Sequence, residues 1–339
     1  MPTSSRPTLE DVARVSGYSR ATISRVVRNV ENVDPRIVQE VNEAIEKTGY
    51  RINLAARALA GGSTQTIGVV FRENFGDLFQ NSYWGQVLEG VYASLSEVNY
   101  QQVFLINDSE HFKQVEQYLL NGHVDGVLFL SVSEEDDLLT DVIARGLPVS
   151  VFGPAIRNVP VPYVNGDEQV SGSIAAQYLL KQGAKKLGII SGGKGINASK
   201  YRAQGFTSYL ESINFHFEKS SIQAGDFTRE GAAKATEELL RKHPEIDGIY
   251  VLSDLMSTGV LEKLRELGKR VPEDIMLVSM DNSPTALSTN PQLTSIGYNA
   301  FDGGKLLGEL ILEAIAGKPA RSVTFMPSLI ERESTKRKK

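Results

Sequence analysis

The sequence of 339 residues contains no cysteine and only one tryptophan. Without cysteine the chain has no disulfide, thiol nucleophile or thiolate-bound zinc, which is compatible with a reducing compartment. The first residues, MPTSSRPTLEDV, contain no apolar stretch of the kind found in secretory signal peptides. No run approaches the roughly 20 apolar residues that a membrane-spanning helix needs. We therefore expect a cytoplasmic protein without a membrane partner.

The charge of the chain is distributed unevenly. Residues 1–62 carry nine basic and seven acidic side chains, a net charge of +2. The whole chain has a net charge of −5, so residues 63–339 have a net charge of −7. Eight of those nine basic residues are arginine, a side chain that suits bidentate contacts to base edges and phosphates. An acidic remainder limits non-specific adhesion to nucleic acid.

The stretch TLEDVARVSGYSRATISRVV predicts two short helices joined by a tight turn. Thr8, followed three residues later by Asp11, is a variant of the capping box that begins a helix. Gly17 ends this helix, and Ser19 is a good cap for the next one. The second helix leaves these side chains outside its apolar face: Arg20, Ala21, Thr22, Ser24 and Arg25. This pattern favours a helix-turn-helix, whose second helix enters the major groove of DNA, over a small bundle with a solvated arginine face.

Two further helical segments follow. Asp34 and Pro35 begin a third helix, which Gly49 ends. Asn53 then caps a short alanine-rich segment, residues 54–60, before two glycines. A helix of this length is marginal in water, so it needs DNA or a second copy of itself as a partner. An alanine-rich linker is the alternative interpretation.

These segments, together with ARALAGGSTQTIGVV, resemble the start of the LacI/GalR family of transcriptional regulators. The resemblance implies that Arg20, Ala21 and Arg25 contact bases. It implies contacts to phosphates or helix ends for Thr8, Ser19, Thr22, Ser24, Tyr50 and Asn53.

The same resemblance implies a hinge helix in the minor groove. Leu59 takes the position of a leucine wedge, which unstacks a base step and bends the duplex. Ala56 is small enough for a second hinge helix to approach closely. The family usually has proline where this chain has Ile52, so we expect a less rigid entry into the hinge.

From Thr66 onward, strand-like and helix-like segments alternate, which predicts right-handed βαβ units on parallel sheets. A weak repeat relates NGHVDGVLFLSV at 121–132 to KHPEIDGIYVLSD at 242–254, with Asp125 and Asp247 in structural turns. Two similar α/β lobes would enclose a cleft at their strand ends. This part also resembles the family's effector domain, which has the periplasmic binding-protein fold.

The predicted fold is therefore an all-α helix-turn-helix domain with a hinge helix, followed by a two-lobed α/β domain. We assign residues 1–52 to the first domain and 53–64 to the hinge and linker. Residues 65–330 form the effector-binding and dimerisation domain. Its first lobe comprises about 65–164 and 296–330, and its second lobe about 165–295. Residues 331–339 form a charged tail, which we expect to be disordered.

The sequence contains no recognisable catalytic motif. SGGKGINASK at 191–200 matches neither GxGxxG nor the P-loop spacing, and we expect it to shape a ligand mouth. The histidines lack metal-binding spacing: His111, His123, His216 and His243. No Ser/His/Asp arrangement can be named. We expect no enzyme activity, no metal and no cofactor.

Candidate effector contacts lie at the ends of predicted strands. Asn81, Tyr83 and Trp84 follow the first strand of this domain. By resemblance to the family, four more residues contact the effector: Arg202, Phe227, Ser253 and Asp281. Arg202 could instead belong to a structural ion pair. Ser253 replaces an asparagine usual in the family, Ser279 a glycine, and Gly153 lies near a position that is often a sugar-binding aspartate.

The resemblance implies a homodimer that binds a pseudo-palindromic operator and is released by a small effector. A mono- or oligosaccharide is the favoured effector, and a nucleoside or purine is its main competitor because three aromatic side chains can stack a base. A sugar-binding protein for transport and a small-molecule enzyme are the alternatives from other classes. Whether the effector releases the protein from DNA or is required for binding stays open.

Overall fold

The computed structural model describes residues 7–27, 32–51, 62–71, 75–107, 111–130, 132, 136–154, 160–193 and 195–337. The chain divides between Thr64 and Gln65 into two compact units. The predicted hinge contacts Asn53, Ala56 and Leu59, and the substituted Ile52, lie outside the described residues.

The described residues of the first unit form three helices, α1 (Leu9–Ser16), α2 (Arg20–Val27) and α3 (Pro35–Thr48). The predicted capping box is present, because Thr8 and Asp11 each accept a backbone N–H from the other residue. Gly17 ends α1 in the left-handed conformation, with φ +75°. A small apolar core holds the helices together: Val12, Ile23, Val26, Val41 and Ala44. The three predicted helices are confirmed.

The second unit is an α/β structure. Its strands are β1 (Thr66–Phe71), β2 (Gln101–Ile106), β3 (Gly126–Leu130), β4 (Val149–Phe152), β5 (Tyr163–Gly166), β6 (Leu187–Ser191), β7 (Ile222–Ala224), β8 (Gly248–Val251), β9 (Met276–Met280), β10 (Thr294–Gly297), β11 (Val323–Phe325) and β12 (Ser328–Ile330). Its helices are α4 (Phe75–Gln80), α5 (Ser82–Ser96), α6 (Phe112–Leu120), α7 (Asp137–Ala144), α8 (Glu168–Lys181), α9 (Asn197–Ser212), α10 (Arg229–Lys242), α11 (Asp254–Glu266), α12 (Pro284–Ser288) and α13 (Ala300–Ile315). No helix among the described residues is long and apolar enough to cross a bilayer.

The two six-stranded sheets have the same strand order. The first runs β11-β5-β4-β3-β1-β2 and the second runs β12-β10-β9-β8-β6-β7, so β6–β10 repeat β1–β5. The neighbouring strands are parallel except for β10 and β12, which are antiparallel. Each lobe fixes its repeated turn in the same way. The Asp125 carboxylate accepts the amide of Gln65 at 3.0 Å, and that of Asp247 accepts the amide of Lys185 at 2.8 Å. The predicted repeat is confirmed.

The strand pairing corrects the predicted lobe limits. β5 extends the first lobe to Gly166, because the strand continues until Asp167 caps α8. β10 (294–297) lies wholly in the second sheet, so the second lobe continues to Gly297 instead of ending at about residue 295. β12 (328–330) pairs with β10 rather than with the first lobe, so the chain crosses between lobes three times.

The end of the chain is ordered as far as Arg337 and packs on the second lobe, so the prediction of a disordered tail is wrong for residues 331–337. Ser334 and Thr335 are buried, and Ser334 Oγ donates to the Leu277 carbonyl at 2.7 Å. Because hydroxyl and backbone hydrogen bonds hold this segment, it needs none of the apolar side chains that the prediction was based on.

Two helices of the second lobe, α8 and α9, pack closely against each other. At Gly172 of α8, an added Cβ atom would lie 2.0 Å from the carbonyl oxygen of Arg202 in α9. At Gly205 of α9, it would lie 1.9 Å from the carbonyl oxygen of Gln169. The two helices are therefore in backbone contact, which only glycine permits at these positions.

Candidate functional site

The second helix of the first unit presents its predicted contact residues to the surface. The Thr22 amide donates to Ser19 Oγ at 3.2 Å, which caps α2 as predicted. Ile23 and Val26 are buried, whereas Arg20, Ala21 and Arg25 are exposed on the other side. Thr8 is exposed at the start of α1, and Thr22, Ser24 and Tyr50 are half-buried. The structure thus leaves the predicted base-contacting residues accessible.

Arg20 forms a surface ion pair with Glu10, with Nη1 and Oε1 3.0 Å apart. Both side chains are more than 60% exposed, and a pair in such a position contributes about 0–1 kcal/mol. Exchanging this partner for a phosphate or a base edge therefore costs little.

The second unit contains a cleft at the carboxyl ends of its parallel strands. All seven predicted effector contacts line it: Asn81, Tyr83, Trp84, Arg202, Phe227, Ser253 and Asp281. The structure brings these residues together from positions 200 residues apart, and their contacts to a ligand stay predictions.

A buried ion pair forms the floor of this cleft. Arg202 Nε lies 2.5 Å from Glu168 Oε2, and its Nη2 lies 3.2 Å from Oε1, a bidentate arrangement. Arg202 Nη1 donates to the Leu252 carbonyl at 2.7 Å and lies 3.8 Å from Asp281 Oδ1. Burial alone would lower the pKa of Arg202, but the carboxylates of Glu168 and Asp281 raise it above its ordinary value. Arg202 is thus both a structural ion-pair member and a cleft residue.

Asp281 adds a second acid beside this pair. Burial raises its pKa well above the ordinary value, Arg202 opposes that shift and the neighbouring Asp254 adds to it. Asp254 is fully buried and accepts hydrogen bonds from Ser283 and Ser295. The floor therefore places two acids, Glu168 and Asp281, beside one arginine, and the buried Asp254 adjoins Asp281. With more carboxyl groups than cations in this buried cluster, the neutral form of Asp281 is favoured.

The first lobe contributes an aromatic wall. The hydroxyl groups of Tyr83 and Tyr298 are 3.0 Å apart, and burial raises the pKa of both phenols. Trp84 packs edge-on against Tyr83 and Phe152, with ring centroids 5.3 and 6.0 Å apart. Tyr298 stacks on Phe325 at 5.4 Å. Each ring of the wall therefore contacts another ring.

Phe227 comes from the second lobe on a turn with unusual backbone angles. Asp226 has φ +52° and Phe227 has φ +56°, a left-handed conformation that is rare for aromatic residues. An added Cβ at Gly192 would lie 1.9 Å from the Phe227 ring, so only glycine leaves room for the ring. The turn and Gly192 together position Phe227 as a flat surface at the cleft.

Two of the predicted contacts also cap helices. Asn81 Oδ1 accepts the Tyr83 amide at 3.2 Å, and Ser253 Oγ accepts the Met256 amide at 3.1 Å. One acceptor atom of each is therefore engaged, which leaves the Asn81 amide group and the Ser253 hydroxyl proton for a ligand. Beside Asn81, Ser82 Oγ lies 2.8 Å from Thr285 Oγ1 of the second lobe, a direct contact between the lobes.

Sequence reasoning missed several residues of the cleft. Glu168, Asn165 and Tyr298 are its additional polar members, and Val132, Phe152, Ile196 and Ala198 are apolar. Asn165 and Glu168 flank the end of β5, and the rule that ligands bind at strand ends would have found both. Asn165 Oδ1 is buried without a hydrogen-bond partner among the described residues, so it is available to a ligand hydroxyl.

The chain matches two family models. Residues 8–53 match the LacI family of bacterial regulatory proteins, and residues 176–335 match a periplasmic binding protein-like domain. The HTH-type transcriptional regulator CelR of Thermobifida fusca is 34% identical over 336 residues, which cover 97% of this chain and 98% of CelR.

Comparison with solved structures agrees with these matches. A CelR–cellobiose complex superposes with a TM-score of 0.77 at 31% identity and covers 97% of this chain and 100% of that chain. The lac repressor dimer bound to operator and the anti-inducer ONPF superposes with a TM-score of 0.83 at 21% identity. It covers 98% of this chain and 99% of its own, which shows a common fold.

A helix-turn-helix unit followed by a two-lobed domain with a polar cleft defines a DNA-binding transcriptional regulator with a small-molecule site. The chain belongs to the LacI family of bacterial regulatory proteins, which confirms the resemblance found in its sequence. Two of the relatives that it matches, CelR and MalR of Streptococcus pneumoniae, are named as HTH-type transcriptional regulators.

Proposed function

We propose that this protein is a homodimeric repressor that binds a pseudo-palindromic operator and is released by a small sugar. The observation that carries the proposal is the convergence of seven predicted side chains on one cleft with a charged floor and an aromatic wall. A sugar has hydroxyl edges that suit Arg202, Glu168 and Asp281. It also has C–H faces that suit aromatic rings.

The nature of the relatives supports a sugar. CelR was solved with cellobiose, and another relative is named a ribose operon repressor. A nucleoside is the second candidate, because Phe227 lies on the wall of the same cleft as Tyr83 and Trp84.

Release would follow from a shift between lobe arrangements. A ligand that contacts both lobes changes the equilibrium only by its difference in affinity for the two arrangements. Arg202 and Asp281 stand on one lobe and Tyr83 on the other, so one sugar can contact both. The Ser82–Thr285 contact at the cleft rim would respond to that movement.

A ligand screen tests the effector. Thermal denaturation of the full chain would be followed with cellobiose, maltose, ribose, glucose and a set of nucleosides. A bound ligand at 100 times its Kd adds about 2.7 kcal/mol of stability. A sugar that raises Tm and also releases operator DNA supports the proposal. A nucleoside as the only active compound, or no active compound, overturns the sugar assignment.

An arginine substitution tests DNA recognition. The operator would first be selected from random duplex DNA with the wild-type protein. Arg25→Ala should reduce the preference for this operator over random DNA by about 1–3 kcal/mol, and weak salt-dependent binding should remain. Arg14→Ala, which removes another exposed arginine, on α1, is the matched control and should keep the preference. Retained preference in Arg25→Ala would contradict its proposed role.

A further inference from the structure

The cleft acid Asp281 stands on a turn with two consecutive left-handed residues. Asp281 has φ +105° and Asn282 has φ +49°. Such angles are uncommon in residues with a side chain, so the surroundings have to hold them. The contacts around this turn therefore determine where the Asp281 carboxylate points.

The inner side of the turn is fixed by buried hydrogen bonds. The Ser283 amide and hydroxyl donate to Asp254 Oδ2 at 2.7 and 2.9 Å. Ser295 Oγ donates to Asp254 Oδ1 at 2.8 Å and accepts the Asn282 amide at 2.9 Å. These bonds hold the backbone on both sides of Asn282, but none of them reaches the Asn282 side chain.

The outer side is held by the C-terminal segment. Arg332 Nη2 donates to Asn282 Oδ1 at 2.6 Å, and Nη1 donates to the Leu293 carbonyl at 2.7 Å. The Arg332 amide donates to Thr294 Oγ1 at 2.9 Å, which fixes the base of the side chain. The half-buried guanidinium thus bridges the turn to Leu293, the residue before β10. Asn282 in this turn lies 50 residues before Arg332 in the chain.

We propose that Arg332 is a positioning residue for the effector cleft. By holding the Asn282 side chain, it keeps the left-handed turn in place and with it the direction of the Asp281 carboxylate. The inference rests on the proposed function of the cleft as the effector site. It assigns to the C-terminal segment a role in ligand affinity, although Arg332 does not line the cleft.

Amide hydrogen exchange tests the effect on the turn without any ligand. Arg332→Met keeps the apolar stem and removes both side-chain bonds. We expect at least tenfold faster exchange at residues 281–283 in the full chain. Arg337→Met is the matched control, because Arg337 Nε donates to the Pro272 carbonyl at 3.2 Å from the same segment. Unchanged exchange at 281–283, or equal acceleration in both variants, would overturn the proposal.

Affinity for sugar tests the consequence for the cleft, with cellobiose, maltose, ribose and glucose as probes. Arg332→Met should weaken binding of the sugar that the wild type prefers by about tenfold, and Arg337→Met by less than twofold. Arg332→Lys, which can hold only one of the two acceptors, should give an intermediate value and replaces Arg332→Met if that variant does not fold.

Rescue separates positioning from a general loss of structure. Glycine adopts positive φ without strain, so adding Asn282→Gly to Arg332→Met should restore most of the affinity. Undiminished affinity in Arg332→Met, or a loss that Asn282→Gly does not restore, would overturn the proposal. A wild type that binds none of the four sugars would refute the sugar assignment instead, and the exchange experiment then decides the role of Arg332.

Discussion

The two walls of the cleft differ in chemistry. The first lobe presents four aromatic rings, Tyr83, Trp84, Phe152 and Tyr298, which pack on one another. The second lobe presents a charged cluster, Glu168, Arg202 and Asp281, with Phe227 at its edge. The sheets behind these walls have the same strand order, so the difference comes from the side chains at the strand ends and not from the fold.

This difference separates two tasks of recognition. Apolar rings contact the faces of a ligand and tolerate changes in the positions of its hydroxyl groups. A bidentate arginine and fixed carboxylates accept only donors and acceptors in particular places. We infer that the second lobe sets which ligand binds and that the first lobe adds affinity once the lobes close.

The largest effect is expected at the centre of the charged wall. Arg202→Met leaves the buried carboxylates of Glu168 and Asp281 without their cation, which costs about 3–5 kcal/mol of stability. Binding of the preferred sugar should be lost as well. Urea denaturation and titration calorimetry measure the two effects.

A second substitution separates these two effects. Replacing both partners of a buried ion pair by apolar residues is often neutral for stability. The double variant Arg202→Met, Glu168→Leu should therefore regain most of the stability and still fail to bind sugar. Recovery of sugar binding in the double variant would show that the charged wall only supports the fold.

A smaller effect is expected for the aromatic residue of the second lobe. Phe227→Ala should weaken sugar binding by about tenfold, roughly the contribution of one stacked ring. Phe217→Ala is the matched control, because Phe217 packs on Phe206 of the same lobe and does not line the cleft. It should lower Tm without changing Kd. Equal loss of affinity in both variants would exclude a direct contact of Phe227.

We expect the stability of the protein to depend on pH through Asp281, the buried acid of the charged wall. Because burial raises the pKa of Asp281 in the folded state, stability falls as pH rises from near 4 through the folded value. Asp281→Asn carries no charge, so its Tm should exceed that of the wild type at pH 8 by about 2 °C or more. This difference should narrow toward pH 5.

The control for this measurement is Asp302→Asn, which changes an exposed acid in the first turn of α13. An equal change of the Tm difference with pH in both variants would mean that the effect does not come from Asp281. An Asp281→Asn difference that stays constant would mean that the Asp281 carboxylate is charged throughout this range.

Much of this organisation could be predicted from local sequence. The capping box of Thr8, the turn acids Asp125 and Asp247 and the repeated halves depend on short-range patterns, and the structure contains all of them. The seven cleft residues were found because strand ends and family motifs mark them. Their convergence depends on parallel sheets, whose strand ends share one edge.

The parts that could not be predicted depend on contacts between distant segments. Glu168 follows a capping aspartate, so its local pattern indicates only the start of a helix, and its role depends on Arg202 in the next helix. The tail is held by hydroxyl groups such as that of Ser334, and the partner of Arg332 is 50 residues away. Neither hydrophobic periodicity nor helix-capping rules predict contacts between residues that are far apart in the sequence.

The smallest effect is expected within the aromatic wall. Tyr83→Phe removes one hydroxyl of the phenol pair and leaves that of Tyr298 without its partner at 3.0 Å. The net loss of such a hydrogen bond is about 1 kcal/mol, so sugar affinity should fall by no more than about fivefold. Tyr92→Phe, at an exposed position of α5, is the control and should leave both Tm and affinity unchanged. A loss of binding as complete as in Arg202→Met would show that the first lobe selects the ligand too, and the division of tasks between the walls would be wrong.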